Sequence, residues 1–129
     1  MKFTSTTVAI LSALIAKTAF AGNFNYGFAI YTDHYDLAIW LNGEDACNYT
    51  YLGPIDENPC SYNDGCFKLW EVDYKMVGCG TSNFCIENPD GSQNSCAVHG
   101  LENPIPGCKN EYGDFSVWQQ SYFPPITLS

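Results

Sequence analysis

The stretch NFNYGFAIYTDHYDLAIWLN, residues 23–42, decides the fold of this chain. Apolar and aromatic side chains recur there at every second position: Phe24, Tyr26, Phe28 and Ile30, then Tyr35, Leu37, Ile39 and Leu41. A period of two with many aromatic and β-branched residues is typical of strands that bury one face. The polar segment TDHYD (32–36) between the two runs predicts a hairpin turn.

Further strands are predicted along the rest of the chain, and no segment has a convincing helical period. The turn NGED (42–45) precedes a third strand, 46–52, in which Cys47, Tyr49 and Tyr51 share one face. The remaining predicted strands are 66–77 (bent near Asp73), 82–87, 95–99 and 114–123. We therefore expect an all-β fold, a small disulfide-stapled sandwich or barrel of about six to eight short antiparallel strands.

The tripeptide Glu-Asn-Pro occurs three times, at 57–59, 87–89 and 102–104. Proline fixes its own φ and moves the preceding residue out of the helical region, so Asn-Pro favours the start of a turn. The copies are separated by unequal intervals and lie between predicted strands. We interpret them as turn chemistry, not as a shared binding motif.

The first 21 residues have the pattern of a secretory signal peptide. Lys2 precedes the short apolar run VAILSALIA (8–16), and AFA (19–21) fits a signal-peptidase site. The predicted organisation is a signal peptide over 1–21 and a single secreted cysteine-rich β domain over 22–129.

Seven cysteines lie in the predicted mature part: Cys47, Cys60, Cys66, Cys79, Cys85, Cys96 and Cys108. In a small secreted domain this density predicts a disulfide framework. An odd number leaves one cysteine unpaired, and the sequence does not choose which. That thiol is available for a disulfide-linked dimer.

The charge of the predicted mature chain restricts its partners. It has three lysines, no arginine and fourteen acidic residues, a net charge of −11. Nucleic acids and anionic membranes are therefore excluded as expected partners, because both would be repelled. The remaining candidates are a host or microbial extracellular protein and a neutral or basic cell-wall glycan.

Candidate site residues are few. Asp33, His34 and Asp36 are metal-ligand types, but neighbours on a strand point to opposite faces and no second cluster completes a shell, so no metal site or cofactor is predicted. No catalytic motif is present, and we expect no enzyme. Asn48 begins the glycosylation sequon NYT. An exposed glycan-stacking surface would draw on the tryptophans Trp40, Trp70 and Trp118.

The leader, the short mature chain, the many cysteines and the lack of enzyme motifs together resemble fungal small secreted cysteine-rich proteins. That resemblance implies an effector, a virulence protein acting on a host or a competing microbe. A narrower likeness appears when Cys85 is left out: C-x12-C-x5-C-x12-C-x16-C-x11-C, with CSYNDGC (60–66), is similar to the peritrophin-type chitin-binding module. The first interval is shorter and the fourth longer than in that module.

Three functions follow as hypotheses. The favoured one is a secreted, non-enzymatic, effector-like protein that binds a host or microbial protein. The alternative is an extracellular chitin-binding or other glycan-binding module. A toxin or antimicrobial protein ranks third, because disruption of anionic membranes usually requires a cationic surface.

Overall fold

The computed structural model describes residues 22–125, and these form nine strands in two antiparallel sheets. The larger sheet has the strand order β3-β2-β1-β9-β8. Its strands are β1 (Phe24–Ile30), β2 (Tyr35–Leu41), β3 (Thr50–Pro54), β8 (Val98–Asn110) and β9 (Gly113–Phe123). The smaller sheet has the order β4-β5-β6-β7, with β4 (Cys66–Leu69), β5 (Val72–Val77), β6 (Cys85–Glu87) and β7 (Gln93–Cys96).

The predicted all-β, disulfide-stapled fold is confirmed, and of its two forms the sandwich is the one present in the described residues. Nine strands exceed the expected six to eight. The opening hairpin is also confirmed, because β1 and β2 pair from Phe24 with Leu41 to Ile30 with Tyr35.

The two sheets enclose an apolar core. Alternate residues of β1 and β2, beginning with the fully buried Phe24 and Ile39, face the smaller sheet, which contributes Tyr74, Met76 and Ile86. Aromatic rings meet there edge to face, as between Phe24 and Tyr74, whose centroids are 5.3 Å apart. Such contacts add about 0.5–1.5 kcal/mol beyond the area that is buried.

The opposite face of the larger sheet has a second, smaller cluster. Its buried members are Ala29, Tyr31, Ala38, Trp40, Ala46, Cys108, Phe115 and Val117. The 3₁₀ turn Ala46–Asn48 covers part of this face, where it contacts β2, β8 and β9. Because both faces of the larger sheet are partly covered, both sets of alternating side chains contribute to the folding of the domain.

Three disulfides join Cys47 to Cys108, Cys60 to Cys79 and Cys85 to Cys96. The unpaired cysteine is Cys66, which is exposed on β4. The peritrophin-type spacing is therefore not the disulfide framework, since that spacing omits Cys85, which is paired, and includes Cys66, which is not.

Three strand predictions were wrong in detail. Residues 46–48 form a 3₁₀ turn because the Asp45 side chain accepts a hydrogen bond from the Cys47 N–H at 3.0 Å. The predicted strand 66–77 is a hairpin, β4–β5, whose turn residues Trp70 and Glu71 have φ values of 50° and 68°.

The third Glu-Asn-Pro, at 102–104, lies inside β8 and not in a turn. Pairing with β9 shifts register between His99 and Asn103, and Pro104 lies opposite Trp118. A proline lacks the N–H that a central strand needs, but β8 is an edge strand and tolerates it. The first two copies do lie at turns, where Asn58 and Asn88 carbonyls accept backbone hydrogen bonds.

The predicted signal peptide, 1–21, lies outside the described residues and stays a prediction. Within residues 22–125, no helix is long and apolar enough to cross a membrane.

Candidate functional site

A cleft of about 730 Å³ opens on the second face of the larger sheet, at the end where β1 turns into β2. Its volume is in the range of small-ligand and peptide-anchor pockets. Segments from four parts of the chain line it, and its residues are Tyr31, His34, Tyr35, Asp36, Cys47, Asn48, Tyr49, Tyr51, Pro54, Asn110 and Tyr112.

Tyrosine dominates this cleft. Tyr35, Tyr51 and Tyr112 expose 45%, 45% and 77% of their surface, and they make up half of the large hydrophobic residues that are exposed in the described chain. Tyr51 is braced by Tyr62, whose ring meets it edge to face at 5.7 Å. Exposed aromatic groups held in place by their neighbours can bind a ligand with little loss of conformational entropy.

A directed chain of hydrogen bonds runs along the cleft. The Asn110 side-chain amide donates to the Tyr31 hydroxyl at 2.9 Å, and the two hydroxyls of Tyr31 and Tyr49 are 2.6 Å apart. Tyr49 donates its single hydroxyl proton to Asp36 Oδ2 at 3.0 Å, so Tyr31 must be the donor to Tyr49. The chain therefore ends on a carboxylate.

The electrostatics of this chain keep Tyr49 protonated. Burial, together with hydrogen bonds to Tyr31 and Asp36 and the charge of Asp36, raises the pKa of the Tyr49 hydroxyl above its ordinary value. A phenol of this kind acts as a fixed hydrogen-bond donor. It thereby sets the orientation of the Asp36 carboxylate.

His34 closes the cleft on the hairpin side. Its ring stacks on Tyr31 at a centroid distance of 4.5 Å, and Tyr31 stacks in turn on the buried Phe115 at 4.7 Å. The His34 Nδ1 lies 2.6 Å from Asp33, and this hydrogen bond lowers the pKa of the Asp33 carboxyl. His34 Nε2 lies 3.6 Å from Asp36 Oδ1.

The Cys47–Cys108 disulfide fixes the base of the cleft. It links the turn before β3 to strand β8 across 61 residues of sequence. The two sides of the cleft are therefore joined covalently as well as by the sheet. The site is rigid and suits binding by preformed shape.

The structure separates the three tryptophans. Trp40 is 3% exposed, so its ring is covered by protein and is not available to stack on a glycan. Trp118 is partly buried on β9, and only Trp70 is well exposed, at 61%. Trp70 lies beside a smaller depression of about 260 Å³, which it shares with an edge of Trp40 and with Asn48.

The other predicted positions fall as follows. Asn48 is exposed between the cleft and the Trp70 depression, and a glycan on it stays a prediction. Asp33, His34 and Asp36 come together around the His34 ring, but no group of three or more ligand residues suited to a metal ion occurs within residues 22–125. The tyrosines were missed as a site, although their density in TDHY and CNYTY was a visible signal.

Comparison with protein-family models, with curated proteins and with solved structures gave no significant match.

Proposed function

We propose that this protein is a secreted, effector-like binding protein whose tyrosine cleft binds an exposed segment of an extracellular host or microbial protein. The observation that carries the proposal is the grouping of three exposed tyrosines around a rigid cleft. Tyrosine is enriched at protein–protein interfaces and at their energetic hot spots. Three disulfides support an oxidising, extracellular location, and the signal-peptide pattern at 1–21 agrees with it.

The composition of the cleft favours binding over other roles for the site. The tyrosine rings offer broad apolar faces, while Asn110, Asp36 and the hydroxyls supply a few oriented polar groups. This mixture of rigid aromatics with a small polar set is also characteristic of antibody paratopes. Its affinity would come from shape and from tyrosine anchors.

The test begins with the oxidised secreted protein immobilised on a support, through which host apoplastic fluid and microbial culture fluid are passed. Captured proteins are identified by mass spectrometry, and their affinity is then measured directly. We expect Tyr51→Ala and Tyr112→Ala each to weaken binding at least tenfold. Val98→Ala is the matched control, since Val98 is similarly exposed at 47% but lies outside the cleft. Equal affinities for all variants would refute the proposal.

A glycan remains the second candidate, because aromatic faces beside hydroxyl, amide and carboxylate groups also suit a sugar ring. Sedimentation with insoluble chitin, cellulose and β-glucan tests it. Recovery of the protein wholly in the supernatant would remove this candidate. Binding that is lost in Tyr112→Ala would place the sugar in the cleft, whereas loss in Trp70→Ala would place it at the smaller depression.

The exposed thiol of Cys66 allows a disulfide-linked dimer as part of the same proposal. Intact mass without reductant distinguishes the two forms of the secreted protein. A mass near twice that of the monomer, reduced to the monomer mass by dithiothreitol, would establish the dimer.

A further inference from the structure

The Asp36 carboxylate lies inside the cleft with 14% of its side chain exposed. One of its oxygens accepts the hydrogen bond from Tyr49, and the other lies 3.6 Å from the His34 ring nitrogen. A carboxylate can accept about four hydrogen bonds. Asp36 therefore keeps capacity for a further donor that enters from the cleft.

The walls around this carboxylate are aromatic. Tyr31, Tyr49 and the exposed Tyr35, Tyr51 and Tyr112 all line the same cavity. The face of a phenol ring carries negative charge density, and a cation within about 6 Å of the ring centre is attracted to it. Several such rings around a carboxylate create a site of negative potential with apolar sides.

No lysine or arginine lines the cleft, and within residues 22–125 the His34 ring is the only group able to carry positive charge within 4 Å of Asp36. The predicted mature chain has a net charge of −11. Both the local and the overall charge would repel an anionic ligand and attract a cationic one.

We propose that the cleft selects a partner segment that presents an arginine or lysine side chain, with Asp36 as the counter-ion and the tyrosine rings as the walls. This inference rests on the proposed function and specifies the chemistry of the partner. The aliphatic part of the guest side chain lies along the rings while its charged end reaches Asp36. Arginine binds more tightly than lysine, because its planar guanidinium can both stack on a ring and donate several hydrogen bonds.

The experiment uses the oxidised, ¹⁵N-labelled secreted protein and five blocked peptides, Gly-Ser-Xaa-Ser-Gly, in which Xaa is arginine, lysine, citrulline, acetyl-lysine or glutamate. Amide resonances are followed during each titration. We expect saturable shifts confined to residues 31–36, 47–51 and 110–112 with the arginine and lysine peptides. The neutral analogues should bind at least tenfold more weakly, and the glutamate peptide should cause no saturable shift.

Two variants assign the effect to Asp36. Asp36→Asn keeps an oxygen that can accept the Tyr49 hydrogen bond but removes the charge, and we expect at least tenfold weaker binding of the arginine peptide. Asp73→Asn removes an equal charge from an exposed position outside the cleft, and it should bind like the parent. Unfolding midpoints of both variants show whether the fold is kept.

The outcomes separate this inference from the proposed function. If arginine and citrulline peptides bind equally, or if Asp36→Asn binds like the parent, cation selection is overturned. The same holds if only chitin oligosaccharides shift the cleft resonances. A captured protein that needs Tyr51 and Tyr112 but not Asp36 overturns the inference and leaves the proposed function intact. A captured protein that needs none of the three overturns the proposed function itself.

Discussion

The two faces of the larger sheet bury aromatic residues in opposite ways. On the face toward the smaller sheet, Phe24 and Phe123 are fully buried and pack ring against ring. On the other face, Tyr31 and Tyr49 are joined through their hydroxyls and lead to an open cleft. The first face holds the domain together by exclusion of water, and the second keeps polar groups oriented at a surface.

The difference between the faces arises from single strands. In β2, Leu37, Ile39 and Leu41 point to the apolar core, whereas Asp36 and Trp40 belong to the tyrosine side. Alternation along a strand therefore supplies both a core and a site from the same seven residues. A site built in this way inherits the rigidity of the core directly behind it.

The largest expected effect compares the disulfides that serve the two regions. Cys47→Ala with Cys108→Ala removes a cross-link of 61 residues, and we expect the free energy of unfolding to fall by about 4 kcal/mol. Cys85→Ala with Cys96→Ala removes one of 11 residues, with an expected loss of about 3 kcal/mol. Each pair contains one buried cysteine, so the two double variants are matched.

Urea unfolding without reductant measures both losses. Only the Cys47/Cys108 variant should also lose binding at the cleft, because Cys85 and Cys96 lie opposite each other in the smaller sheet. A greater loss of stability for the Cys85/Cys96 variant, or unchanged cleft binding without the Cys47–Cys108 bridge, would show that the cleft does not depend on covalent support.

Alkaline pH provides a second comparison, between tyrosines on the two faces. Burial raises the pKa of Tyr26, in the apolar core, from 10.0 to about 12. In the unfolded chain Tyr26 ionises near pH 10, while in the folded chain it stays neutral until about pH 12. Its contribution is therefore fully present below pH 10 and is lost as the pH rises from 10 to 12, by at most about 3 kcal/mol.

The measurement is urea unfolding at pH 9 and pH 11.5, in a Cys66→Ser background that prevents disulfide exchange by the free thiol. Tyr26→Phe should flatten the pH dependence in this window. Tyr35→Phe, at an exposed position, should leave it unchanged. The assignment to Tyr26 fails if the two variants have the same pH dependence.

A smaller effect is expected from the hydrogen-bond chain. Tyr49→Phe removes the hydroxyl between Tyr31 and Asp36, and we expect a loss of about 1.5 kcal/mol because a donor to a carboxylate is lost. Tyr35→Phe is the control, since no hydrogen bond of its hydroxyl occurs within the described residues; its effect should stay within about 0.5 kcal/mol.

Thermal and urea unfolding at pH 7 give both values. A loss of stability for Tyr49→Phe no larger than for Tyr35→Phe would mean that water replaces the chain without cost. The tyrosine side would then differ from the apolar core in its composition but not in its energetics.

Much of the fold was predictable from the sequence, because strand alternation is local. The period of two at 23–42 predicted the first hairpin and the residues that share each face, as Phe24, Tyr26, Leu37 and Ile39 confirm. Errors arose where a side chain or turn acted locally against the pattern, as Asp45 does at the 3₁₀ turn and Trp70 does at the hairpin.

The cleft was not predictable in the same way, because it depends on distant pairings. Asn110 contacts Tyr31 across 79 positions, and Cys47 bonds Cys108 across 61. The strand that brings Asn110 and Cys108 there, β8, contains two prolines and a glycine that favour a loop in the sequence. Only its pairing with β9 makes it a strand.

The smallest expected effect concerns Trp70, an exposed aromatic outside the tyrosine cleft. Trp70 and Glu71 form the two-residue turn between β4 and β5 with positive φ at both positions, a conformation that favours Asn-Gly. Trp70→Asn with Glu71→Gly should therefore raise the free energy of unfolding by about 1 kcal/mol, because the strain is relieved and little burial is lost. Trp70→Ala keeps the unfavourable conformation and should bring no gain. If the double variant is instead less stable than the parent, Trp70 contributes packing that outweighs its strain. If the variant is more stable and binds the cleft peptides normally, the aromatic groups needed for binding are confined to the tyrosine side of the larger sheet.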